Sequence, residues 1–127
     1  MGGLEERKPA LQTSLDRLLD SPGVVGVALV DAVTGLTYAT AGDAAAAGTG
    51  VECSDLATLI SERLGAAGAG GELESVVMTS RHRHQVLFCV DRSAGDPLLL
   101  AAGLDRDRAN VALALRSLGD RVREVLA

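Results

Sequence analysis

One stretch near the C-terminus restricts the possible folds more than any other. Across Leu98–Ala127 an apolar run, Leu98 to Leu104, passes through the polar segment Asp105 to Asn110 into a long amphipathic segment. Val111, Leu115, Leu118, Val122 and Val125 recur at spacings of four, three, four and three, which is one stripe of a 3.6-residue helix. Arg116, Asp120, Arg121, Arg123 and Glu124 occupy much of the remaining circumference. An isolated helix this short is marginal in water, whereas burial contributes about 1.5–3 kcal/mol per large apolar side chain. The helix therefore needs an apolar layer to lie on, and the strands upstream have to supply it.

The chain has 127 residues and 47% hydrophobic content, enough for one core, so a single domain over residues 1–127 is expected, with residues 1–3 disordered. Leu11, Leu15, Leu18 and Leu19 mark an amphipathic helix between Leu4 and Asp20, which Ser21-Pro22-Gly23 stops. Val24 to Asp31 is apolar on both alternating faces and reads as a central strand covered above and below. Asp31 to Gly35 is a hairpin turn in which Gly35 takes positive φ, and Leu36 to Ala41 is the returning strand. Gly42 to Gly50 lacks anchoring bulk and reads as a flexible loop. Ser54 or Asp55 can cap a second helix with the narrow stripe Leu56, Leu59, Ile60 and Leu64, ending at Gly65–Gly71. Three strands follow: Glu72–Ser80, Gln85–Asp91 and Leu98–Leu104. The expected fold is an α/β sandwich of order helix, two strands, helix, three strands, helix, with a mainly antiparallel five-stranded sheet. Such a sheet is about 24 Å wide and the last helix about 30 Å long, so this helix can cross all of it.

The residues that could carry chemistry have simpler structural uses. His82 and His84 form an HxH pair with no further histidine to complete a metal site, and a solvated turn is the expected role. Thr79 and Ser80 lack a nucleophile elbow. The glycines at 65, 68, 70 and 71 follow a helix and precede a strand, the reverse of a phosphate-binding loop, and no GxxxxGK[ST] occurs. Asp105 and Asp107 suit a helix cap. Cys53 and Cys89 form no CxxC and are expected to be reduced. No catalytic, cofactor-binding or metal-binding residue is assigned. The net charge of −5, with one Tyr, one Phe and no Trp, argues against nucleic acid as a partner. No segment approaches the roughly 20 apolar residues of a membrane span, and the N-terminus lacks a signal-peptide core, so a cytoplasmic protein is expected.

Hairpin adjacency permits the strand order 2-1-5-4-3, which puts Glu72–Ser80 at an edge. Val76, Val77 and Met78 there, with little protective charge after Glu74, form a template for pairing with a second chain, most simply about a two-fold axis.

PGVVGVALVDAVTG at Pro22–Gly35, LESVVMTS at Leu73–Ser80 and LLLAAGLDRDRANVALALRSL at Leu98–Leu118 resemble the roadblock family, the small domain of roadblock-type dynein light chains and of bacterial regulators of Ras-like GTPases. The last motif is especially similar to actinobacterial members, and the similarity extends from Leu4 to Leu126. The resemblance implies a profilin-like or longin-like sandwich and a homodimer through the third strand and second helix. It points to Leu73, Ser75, Val76, Val77, Met78 and Thr79 on the dimer edge, and to Leu56, Leu59, Ile60 and Arg63 on the dimer or partner helix. It further implies a non-enzymatic regulator or scaffold, without cofactor, that docks a bacterial Ras-like small GTPase and biases its nucleotide state. The alternative is a small-molecule-sensing or signalling adaptor working with a sensor kinase.

Overall fold

The computed structural model describes residues 8–90 and 95–126, with the side chains of residues 8, 9 and 122–126 left aside. The elements are α1 (Lys8–Leu18), β1 (Val24–Asp31), β2 (Thr37–Gly42), α2 (Ala44–Ala47), α3 (Gly50–Ala66), β3 (Ser75–Thr79), β4 (Arg83–Val90), β5 (Leu98–Asp105) and α4 (Val111–Leu126). The strands form one antiparallel sheet in the order β2-β1-β5-β4-β3. Residues 1–7, including the expected disorder at 1–3 and the helix start at Leu4, lie outside the described residues.

β1 and β5 occupy the middle of the sheet because both their faces are apolar. Val27 and Leu29, with Leu98, Leu100, Ala102 and Leu104, point into one core; Ala28 and Val30, with Leu99 and Ala101, point into the other. The first core is closed by Leu11, Leu15 and Leu18 of α1 and by Ala114 and Leu118 of α4. α4 does not cross the whole sheet as its length allowed. α1 already lies over β2 and β1, so α4 is confined to β4 and to α1's flank, where the hydroxyls of Ser21 and Ser117 meet at 3.1 Å. Its buried stripe includes Ala114, Leu118 and Gly119, with Val111 and Leu115 half-buried. Val122 and Val125 fall outside the described side chains.

The opposite face corrects the expectation of a flexible loop at residues 42–50. Ala44–Ala47 form a one-turn helix whose N-cap Asp43 accepts from the Ala45 N–H at 3.2 Å. So short a helix needs external support, and the sheet provides it. Gly26 and Gly103 are cross-strand partners on β1 and β5. A Cβ at Gly26 would overlap the Asp43 carbonyl, and one at Gly103 would overlap that of Ala46. α2 thus lies directly on sheet backbone. Its otherwise orphaned Ala47 carbonyl accepts from Gln85 Nε2 at 2.8 Å and from Cys53 Sγ at 3.5 Å. Burial and the neighbouring Glu52 push the Cys53 thiol pKa up, which keeps it protonated.

Two expected caps also move. Thr49, not Ser54 or Asp55, caps α3: its Oγ1 accepts from the Glu52 N–H at 3.2 Å and donates to Glu52 Oε1 at 2.8 Å. This Thr-x-x-Glu pattern was readable as a capping signal. α4 is capped by Asn110, whose Oδ1 accepts from the Leu113 N–H at 3.2 Å. Asp105 instead closes a separate turn by accepting from the Asp107 N–H at 3.0 Å, and Arg106 ties that turn to the β3–β4 hairpin by donating to the Ser80 carbonyl at 3.1 Å.

The close approach at Gly103 sets a test. Gly103→Ala should lower unfolding stability by about 1–3 kcal/mol through overpacking against α2. Gly65→Ala, at a helical position where the new methyl meets open space, should instead raise it by up to about 1 kcal/mol. Urea titrations of both variants check the pair; equal effects would show that α2 does not rest on the sheet.

Candidate functional site

The helix α3 meets the sheet by an unusual face. Its buried residues are small: Gly50, Cys53, Ser54 and Ala57. Ser54 Oγ donates to the carbonyls of Ala32 at 2.7 Å and Val33 at 3.2 Å, fixing the helix to the β1–β2 turn. Small side chains let the helix axis come close to β1 and β5, the strands it contacts. Of the large residues of the expected stripe, Leu56 packs half-buried against the core beneath the helix, and the stripe as a whole is not the buried face. Leu56, Ile60 and Leu64 are half-buried, Leu59 is 50% exposed, and Arg63 is exposed.

The sheet edge beside this helix is equally open. β3 ends the sheet and pairs only with β4, from Ser75 opposite Phe88 to Thr79 opposite His84. Val77 is 39% and Met78 37% exposed, Val76 is half-buried, and Ser75 and Thr79 are exposed. Leu73 precedes the strand and is half-buried. Alternation puts Val76 and Met78 on the α3 side of the sheet and Ser75, Val77 and Thr79 on the α1/α4 side. The strand thus shows apolar surface on both faces and carries no charge of its own. Such an edge is a template for strand addition.

His84 departs from the solvated-turn expectation. The β3–β4 turn is tighter than the sequence suggested, so His84 belongs to β4 and is buried, with Nδ1 2.8 Å from Thr79 Oγ1. This contact braces the far end of the edge strand. His82 remains exposed in the turn. Among the described residues no three His, Cys, Asp or Glu side chains could hold one metal ion.

The β1–β2 turn carries further exposed apolar residues that sequence reasoning missed. Val33 and Leu36 on the turn, and Val51 at the start of α3, are each more than half exposed. Asp31 shapes this turn: its Oδ1 accepts from the N–H groups of Val33 at 2.8 Å and Thr34 at 2.9 Å, and its Oδ2 from the Tyr38 hydroxyl at 3.3 Å. Gly35 follows with φ 77°. The Thr34 N–H, helped by Val33, the Thr34 hydroxyl and Tyr38, holds the Asp31 carboxyl below the usual range despite the opposing effect of burial. The Asp-x-x-x-Gly spacing announced the turn, but no sequence signal told which of its apolar residues would face water.

Asp31's lowered pKa gives a signed prediction. The ionised carboxylate stabilises the fold fully above the ordinary Asp value of about 3.9, and that contribution is lost as pH falls through the lower folded value. Asp31→Asn should therefore be less stable than the parent by about 1–2 kcal/mol at pH 7, with the gap shrinking in acid. Denaturant titrations at pH 7 and at pH 3 check it; a gap that does not depend on pH would remove the charge from the explanation.

No family model and no curated protein matches the sequence. Solved structures do. The chain is similar to Myxococcus xanthus MglB, with TM-score 0.71 and 18% identity over 91% of this chain and 94% of that one. It is similar to a Roadblock/LC7 domain from Streptomyces avermitilis, with TM-score 0.72 and 18% identity over 90% and 92%. The gliding protein MglB from Thermus thermophilus gives 0.67 and 16% over 99% and 93%. With its five-stranded antiparallel sheet and the helices on its two faces, this chain has the Roadblock/LC7 fold.

Proposed function

We propose that the chain is a non-enzymatic, cytoplasmic, dimeric regulator or scaffold that binds a bacterial Ras-like small GTPase and biases its nucleotide state. The observation that carries this reading is the exposed Leu59 on α3, flanked by the half-buried Leu56 and Ile60, on the same sheet face as Met78 of the uncharged edge β3. Both belong to the two elements through which the roadblock resemblance implies a homodimer. The likeness to MglB structures, one of them described in a tetrameric arrangement, supports assembly as the mode of action.

The chemistry of the surface suits association. Pairing of two β3 edges satisfies their open N–H and C=O groups, and the aliphatic side chains of α3 and Met78 lose contact with water. A regulator of this kind needs no acid, base or nucleophile. It acts by binding one nucleotide state of its partner more tightly than the other, and the shift it causes equals that difference in affinity.

Two measurements test the proposal. In sedimentation equilibrium the protein should be a dimer, and Met78→Asp or Leu59→Asp should raise its dissociation constant at least about tenfold, as a charge introduced at a central apolar contact does. With a purified bacterial Ras-like GTPase, binding should differ at least about tenfold between the GDP-loaded and GTP-analogue-loaded states. A monomeric protein would refute the dimer, and no binding in either state would refute the GTPase partner.

A further inference from the structure

A groove runs along the inner side of α3, where the helix stands clear of the end of the sheet. One lobe, about 470 Å³, has a floor of Ala57, Leu73, Cys89, Pro97 and Leu99, with Val33 at its lip. A second lobe, about 560 Å³, continues past Phe88 toward Ser75 and shares Gly71, Leu73 and Cys89 with the first. The first lobe is mainly apolar and the second mainly polar, and both are open to water. Among the described residues, the charged ones lining the two lobes are carboxylates: Glu62 on α3, and Glu72 and Glu74 on the segment leading into β3. All three are exposed, and no ion pair links any of them to a described residue.

We propose that this groove is a docking site for a segment of a partner protein that carries an aliphatic anchor flanked by lysine or arginine. The two lobes together exceed the space taken by a single side chain, and a small polar ligand would leave the Leu73–Leu99 floor wet. An apolar anchor removes that floor from water. Three uncompensated carboxylates around the rim disfavour an acidic segment and attract a basic one, steering encounter and fixing orientation more than they add affinity. A second copy of this chain fits less well. Its net charge is −5, and the exposed aliphatic residues of β3 lie in a strand without any basic residue.

The 127-residue chain tests this with fluorescein-labelled twelve-residue peptides in anisotropy titrations, one built of leucine and lysine and its counterpart of leucine and glutamate. The lysine peptide should bind with an affinity that falls with added salt, and the glutamate peptide should not bind. The combined variant Glu62→Gln, Glu72→Gln, Glu74→Gln should weaken binding about tenfold, each rim charge being worth roughly two- to threefold. Val33→Ser should weaken it as well. A control, Asp16→Asn, Asp20→Asn, Asp107→Asn, removes equal charge elsewhere and should change binding less than about twofold. Equal loss in the two triple variants would reduce the effect to net charge and overturn the proposal, as would equal binding of both peptides or of neither. If the rim variant or Val33→Ser left peptide binding intact but altered self-association in sedimentation, the groove would belong to a second copy and the proposal would fall.

Discussion

Everything in this structure follows from a central strand pair that is apolar on both faces. In β5, Leu98 through Leu104 are all buried, and in β1 only Val25 is exposed ahead of the buried Gly26–Asp31. A sheet whose middle cannot face water on either side has to be covered twice. The two faces meet that demand with different chemistry. On one, leucines of α1, Val27 and Leu29 of β1 and leucines of β5 join in a single aliphatic core. On the other, backbone comes close to backbone, through a row of glycines under α2 and a row of small residues under α3.

The second solution determines what is left over. A helix that approaches the sheet through Gly50, Cys53, Ser54 and Ala57 has used its small residues inward, so its larger apolar residues stay partly in water: Leu59 is exposed and Leu56, Ile60 and Leu64 are half-buried. A helix seated by leucines would have the reverse character, with a core-filling inner face and a polar outer one. Close seating also fixes α3 over β1 and β5, while α2 reaches β4, and the edge strand β3 is left without a helix packed across it on that side. The exposed edge strand, the outward aliphatic residues and the groove at the sheet end are therefore three consequences of one packing choice.

Much of the architecture was legible in the sequence because it depends on periodicity. The double-sided apolar runs Val24–Asp31 and Leu98–Leu104 announced central strands, the DAVTG turn announced its hairpin, and adjacency rules led to the order found in the sheet. What failed was whatever depends on close backbone approach. Gly42–Gly50 looked unanchored because its support comes from Gly26, Gly103 and Gln85, which lie far away in sequence. Hydrophobic spacing marked a stripe on α3 at Leu56, Leu59, Ile60 and Leu64 without telling which side of the helix meets the sheet. Here the small residues on the other side of the helix were the inward ones, and a count of hydrophobic spacing cannot see them. His84 was placed in a turn because strand boundaries shift by a residue or two, and one residue decides whether a side chain faces water or the core.

The way α3 is fastened has a consequence for divergence. Its tether is Ser54 donating to two main-chain carbonyls, and its bed is small side chains over backbone. Neither depends on what stands at positions 59, 60 or 63. Mutations that rewrite the outward face leave the anchoring side untouched, so recognition can drift while the scaffold holds. Duplicated copies of such a chain can acquire new binding preferences quickly, and overall shape can persist long after sequence similarity has faded to the 16–18% seen against the solved structures.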